Sequence, residues 1–307
     1  MTNNAACGHS FHPMRLIVPI ALAVVVPGFI AAGQAQTLRF SPVEKSVVLE
    51  RAAHAPATLE ERQARIRELF MQGGCKREED APAAPESGKS DLPNVTCRLP
   101  GVSGATILVM ANYGGSPVDR WNGASLLPSL FQSLAGRKRR HTFLFVAWAG
   151  PKNPLEDPKI FPRNPQPDKA GQIEAIIDLD ALGFSPTKIS EHLSDKELVR
   201  GLIKVAYSLK LSASQVDIPE TASPDSAPLP SPSLPPSSLG SADVRGIPRI
   251  TIHSLTRESA ALLRENHAIP DQRFQPDNFF DSYHLISGYL VYLDQTLRRK
   301  GRRGREG

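Results

Sequence analysis

Apolar residues alternate along this chain between long unbroken runs and stripes at helical spacing. The runs Ala105–Ala111, Thr142–Trp148 and Ile173–Asp180, with the shorter Arg249–His253, are continuous rather than alternating. That is the pattern of strands buried on both faces. Between and around them, apolar residues recur every three or four positions. Such stripes predict helices over Thr58–Met71, Ala124–Leu134, Asp195–Leu211, Glu258–Glu265 and Asp281–Arg299. In the first, Leu59, Ile66, Leu69 and Phe70 form the stripe, Thr58 is the N-cap, and Gly73-Gly74 ends the helix. Strands alternating with helices predict an α/β fold, a three-layer α/β/α sandwich around a mixed, mostly parallel central sheet.

Residues 36–56 read as an extended lead-in, residues 57–297 as the α/β domain, and 77–91 as a loop of Pro, Glu, Ala and Ser. Residues 218–244 read as a low-complexity insertion, with Pro and Ser crowded between Leu229 and Leu239. The first 35 residues read as an export signal. Arg15 precedes the apolar run Leu16–Ala32, and Gly33-Gln34-Ala35 suits cleavage after Ala35. Met14 is an alternative start. An uncleaved anchor over residues 16–32 is the competing reading, since about 17 residues is the lower limit for a span. The expected location is therefore periplasmic or secreted, with membrane anchoring as the alternative.

The chain has 307 residues, enough for one sizeable domain, with 40% hydrophobic and 22% charged residues. Its net charge of +5 resides in the tail 298–307, where Arg298, Arg299, Lys300, Arg302, Arg303 and Arg305 face only Glu306. The body is near neutral, so the balance does not argue for nucleic-acid binding. The tail reads as a solvated end, with contact to anionic lipid as the alternative. Cys7 precedes the expected cleavage point. Cys75 and Cys97 remain, and an even pair in an oxidising compartment reads as a disulfide. Both adjoin apolar stretches, Leu69–Met71 and Val95–Leu99, that are expected to pair as strands.

In open α/β sheets, ligand sites gather at the carboxyl ends of the strands. There the sequence places Asn112-Tyr113-Gly114 with Asp119-Arg120 beyond, then Pro151-Lys152, then Asp180, and then His253-Ser254. Two carboxylates and an imidazole, Asp119, Asp180 and His253, are suitable zinc ligands. Taken singly, each is as well explained as a helix cap or a structural histidine. Ser125 and Ser254 lack any arrangement suggesting a nucleophile with its base. His141 begins a strand, at the end of the sheet away from the site, and reads as structural. His284 reads as packing or surface. No glycine-rich phosphate loop is present.

Three segments carry a wider resemblance: Val118–Leu127, Ile176–Asp180 and Ile247–Ser254. Their order and character resemble metallopeptidase family 28, the di-zinc aminopeptidases, over residues 60–297. The resemblance implies the zinc-exopeptidase fold and a two-metal site. It makes Asp119 the bridging ligand, Asp180 a ligand to one metal and His253 the late histidine ligand. It also exposes replacements. Asn112 stands where the family has its first histidine ligand, Gly114 where an aspartate follows it, and Arg120 after the bridging aspartate. Pro151 and Lys152 stand where a glutamate pair supplies the general base and a ligand.

Proline cannot take a proton from a metal-bound water, and loss of general-base help costs ~10²–10⁴ in rate. Lys152 and Arg120 would stand near any dication, and unit charges 4 Å apart repel by about 4 kcal/mol at an effective dielectric of 20. These cations are instead expected to pair with Asp119 and Asp180. Glu156 and Asp157 follow the lost pair but sit in a loop after Pro154. The expectation is a degenerate, exported aminopeptidase-like protein. It lacks peptidase activity and a resident cofactor, and it binds a peptide or protein. The alternatives are an active zinc aminopeptidase or a single-zinc enzyme of the same fold, with zinc at low occupancy.

Overall fold

The computed structural model describes residues 38–76, 94–114, 121–149, 172–216, 246–264, 267 and 269–297. The expected signal segment, the insertion 218–244 and the tail 298–307 lie outside them, as do Asp119, Arg120, Pro151, Lys152, Glu156 and Asp157.

Seven strands form one sheet: β1 (Val95–Leu99), β2 (Thr106–Asn112), β3 (Thr142–Trp148), β4 (Ile173–Leu179), β5 (Thr187–Ser190), β6 (Ala213–Val216) and β7 (Arg249–His253), in the order β1-β3-β2-β4-β7-β5-β6. The β3-β2-β4-β7 core is parallel throughout, and β5–β6 is parallel too. β1 joins β3 and β5 joins β7 in antiparallel fashion. The sheet is thus mixed and mostly parallel, as the unbroken runs require. Residues 107, 109 and 111 of β2 share one apolar cluster with α1 (Lys45–Ala52), α2 (Leu59–Gln72), α3 (Trp121–Ala135), α4 (Lys196–Leu209) and α6 (Pro276–Thr296). Leu108 and Met110 face the other way, into a second buried cluster with Val146, Trp148 and Ile176. Both faces are covered, which is why no polar alternation shows in these strands. α5 (Arg257–Arg264) packs apart from the main cluster, with Leu263 against Phe184 and Ile269.

Local chemistry sets the helix ends. Thr58 and Glu61 form a capping box at the start of α2. Asp195 caps α4 by accepting from the N–H groups of Glu197 and Leu198. Pro276 opens α6, where its missing N–H costs nothing.

The structure departs from the sequence reading at three points. The lead-in 36–56 is not wholly extended, because α1 occupies Lys45–Ala52. Two turns are too short to stand out by periodicity. Tertiary contacts hold them instead: buried Arg51 donates to Ser129 Oγ at 2.9 Å and to Gln132 Oε1 at 2.9 Å, both on α3. Second, β5 and β6 were not legible as strands, since four residues each carry too little pattern. Third, Cys75 and Cys97 are joined, with Cα atoms 6.1 Å apart, but Leu69–Met71 is the end of α2 and not a strand. The disulfide ties a helix end to the edge strand β1.

Candidate functional site at the strand ends

Asn112, Asp180 and His253 end, or directly follow, β2, β4 and β7, three adjacent parallel strands. Register aligns them. Ala111 lies beside Leu179, and Leu179 beside Ile252, so the next residue of each strand falls in one row. The Asp180 N–H donates to Ile252 O at 3.0 Å, and the Ser254 N–H to Ala181 O at 3.2 Å, holding the β4 and β7 ends together. On one side Trp148 pairs with Asn112, and on the other Lys188 pairs with His253. The row therefore runs Trp148, Asn112, Asp180, His253, Lys188 across five strands, with side chains on one face.

Each member has its own chemistry. Asn112 is nearly buried, and its Oδ1 accepts the Gly114 N–H at 2.6 Å, which turns the chain sharply after β2. Tyr113 continues that turn, its N–H on Trp148 O at 2.8 Å and its carbonyl accepting from Arg62 Nη1 of α2 at 3.2 Å. Asp180 is half-buried, and among the described residues its carboxylate has no ion-pair partner. The pairing expected for it with Arg120 or Lys152 involves residues outside those described.

His253 is 4% exposed. Its Nδ1 accepts the Leu255 N–H at 3.2 Å, while Nε2 is buried and has no hydrogen-bond partner among the described residues. Burial, and then the charge of Lys188, push its pKa down to about 4, so the ring is neutral near pH 7. A neutral imidazole that accepts at Nδ1 carries its hydrogen on Nε2. Lys188 Nζ donates to Leu255 O at 2.7 Å, and burial lowers the lysine's own pKa. Lys188 joins the candidate row and was not picked out in the sequence. The only signal was the alternation Thr187-Lys188-Ile189-Ser190, too short to read.

A zinc ion needs lone pairs, and a ligating histidine ordinarily donates its other ring N–H to an acceptor. Here His253 Nδ1 accepts, Nε2 bears the hydrogen, Asn112 Oδ1 is committed to Gly114, and an ammonium stands one strand away. As arranged, these described residues do not fit a zinc ion. Among the described residues no group of three or more His, Cys, Asp or Glu side chains converges on a cation site. A second imidazole after β7 is that of His267, exposed beyond α5, with its backbone N–H on Leu262 O at 2.8 Å.

The other candidates are structural. Ser125 Oγ donates back to Asn122 O within α3. His141 lies at the opposite end of the sheet, Nδ1 3.3 Å from Asp294 and Nε2 3.3 Å from Glu174. His284 packs between the rings of Phe40 and Phe280.

No protein-family model matches the sequence, and no curated protein matches it. Solved structures do match in fold. LapA, an aminopeptidase of Legionella pneumophila, superposes with a TM-score of 0.53 at 10% identity, over 81% of this chain and 72% of its own. A putative zinc-dependent exopeptidase from Bacteroides vulgatus gives 0.52 at 10%, over 85% and 99%. A glutaminyl cyclase from Fimbriiglobus ruber gives 0.50 at 13%, over 81% and 93%. The fold is that of the zinc exopeptidases. At these identities the likeness is one of fold alone.

Proposed function

We propose that this chain is an aminopeptidase-like protein that binds a peptide or protein at the strand-end row without hydrolysing it. The observation that carries the reading is the Lys188–His253 pair. It puts an ammonium and an N–H donor where a metal-binding site would need lone pairs. The row then offers the Lys188 ammonium and the half-buried Asp180 carboxylate, which suit polar groups of a peptide. Pro151 and Lys152, at the positions the family resemblance assigns to the glutamate pair, point the same way. The apolar segment 16–32 and the small residues after it support export to the periplasm or the exterior, with retention as an anchor the alternative.

The test is to purify the full chain with zinc or cobalt, measure bound metal and assay aminoacyl-nitroanilides. No bound metal and no turnover are expected. Metal-dependent turnover that disappears in Asp180→Ala would sink the reading. The second reading is a single-zinc enzyme of the same fold; about one zinc per chain, lost in Asp180→Ala, would establish it.

A further inference from the structure

The sheet face that carries the row holds further charges deeper down. Alternation puts Glu174 and Asp178 of β4 on it with Asp180, together with Arg249 and His253 of β7 and Lys188 of β5. Most of these are spent locally. Arg249 donates to Asp178 Oδ2 at 3.0 Å, and Glu174 lies 3.3 Å from His141 Nε2. Asp180 and Lys188 are left as the two open charges, both half-buried. Among the described residues neither has an ion-pair partner, and Lys188 spends one of its three N–H groups, on Leu255 O. The two have opposite sign and flank β7. Asp180 lies beside His253, and His253 beside Lys188. Neighbouring strands are about 4.8 Å apart, so the two residues stand about 10 Å apart across the row. Side chains rise roughly perpendicular to a sheet, which carries that spacing up to the charges. Between them is His253, 4% exposed, whose Nε2–H has no hydrogen-bond partner among the described residues.

We propose that Asp180 and Lys188 form a two-ended subsite for a dipeptide, the carboxylate taking its free α-ammonium group and the Lys188 ammonium its terminal carboxylate. This deepens, and rests on, the reading of the row as a binding site that does not hydrolyse its ligand. Charge-assisted N–H···O contacts run about 2.8 Å. Two of them within a gap of about 10 Å leave about 4 Å for a ligand lying in line, and up to about 10 Å for one lying above the two charges. An extended chain spans about 3.5 Å per residue, so a dipeptide at about 7 Å falls inside that window. A single amino acid falls short of it, and a tetrapeptide at about 14 Å overshoots it. A ligand with only one charge would leave the other half-buried charge uncompensated. The Nε2–H of His253, midway along the row, finds its acceptor in the central peptide carbonyl.

The experiment is titration calorimetry of the full chain, without added metal, against dialanine, its N-acetyl form, its C-terminal amide, free alanine and tetraalanine. Dialanine should bind tightest, and capping either end should weaken it about tenfold or more, the loss expected for one charged hydrogen bond. Lys188→Met should abolish the preference for the free acid over the amide and keep the preference for the free amine over the acetylated form. Asp180→Asn should do the reverse. The preference that each variant keeps shows that it is folded, and Lys188→Arg, which retains the cation, should keep both. Binding of tetraalanine or of either capped form as tight as that of dialanine would overturn the proposal. So would a Lys188→Met chain that still discriminates acid from amide, or no binding of dialanine at all. Release of free alanine would instead overturn the non-hydrolytic reading, with the two end preferences still deciding this one.

Discussion

Lys188 stands directly opposite His253 across the antiparallel β5–β7 pair, and both side chains hold the backbone of Leu255, one at its carbonyl and the other at its N–H. The shared anchor fixes the imidazole ring and its tautomer. It also keeps a positive charge beside a ring that burial already disfavours as a cation. A position that the family resemblance assigns to a metal ligand thereby becomes a neutral hydrogen-bond donor.

A pH dependence follows from this. His253 has its pKa lowered from 6.5 to about 4 in the folded chain. Between those values the unfolded chain binds a proton that the folded chain does not. His253 neutrality therefore contributes stability that is fully present above pH 6.5 and lost as pH falls toward 4. The shift corresponds to about 3 kcal/mol at most. Urea unfolding at pH 7.5 and 4.5 should show the loss, and His253→Phe should flatten it over that window. In Lys188→Met, proton NMR should show His253 titrating at a higher pH than in the parent chain.

Arg51 should be a structural arginine, not a surface charge. Arg51→Ala leaves Ser129 Oγ and Gln132 Oε1 without their donor and detaches α1 from α3. A loss of about 1–3 kcal/mol is expected in denaturant unfolding. Amide exchange over residues 45–52 should accelerate more than over α3. A variant as stable as the parent would show that α1 does not depend on this contact.

The Cys75–Cys97 bond closes a loop with a sequence separation of 22. On the chain-entropy account, its removal in Cys75→Ser with Cys97→Ser should cost about 3 kcal/mol. A mass shift of two hydrogens on reduction, together with a lower unfolding midpoint under reductant, checks it.

Gly123 lets α3 pass close to the end of β4, beside Asp180. A Cβ there would come within 2.9 Å of Leu179 O, which is backbone and cannot yield cheaply. Gly123→Ala should destabilise the chain by about 1–3 kcal/mol. It should also shift the backbone amide signals of Leu179 and Asp180. Gly74→Ala has open space for its Cβ but a φ of +92°, so its cost arises from backbone strain alone, with no effect at Asp180.

The sequence by itself determined the class of fold and pointed to the strand ends as the place for a candidate site. Runs such as Thr106–Asn112 and Thr142–Trp148 are buried on both faces, and that condition writes itself into sequence as unbroken apolarity. Strand ends then follow from where the runs stop, which is how Asn112, Asp180 and His253 could be picked out. Tertiary structure alone decided what those residues touch. Lys188 belongs to a four-residue strand whose pairing with β7 is non-local, and α1 is held by Arg51 reaching α3. The direction of a hydrogen bond onto His253 Nδ1 depends on a backbone turn two residues on. Periodicity records which face of an element is buried, but it carries no information about which distant side chain comes to lie beside it.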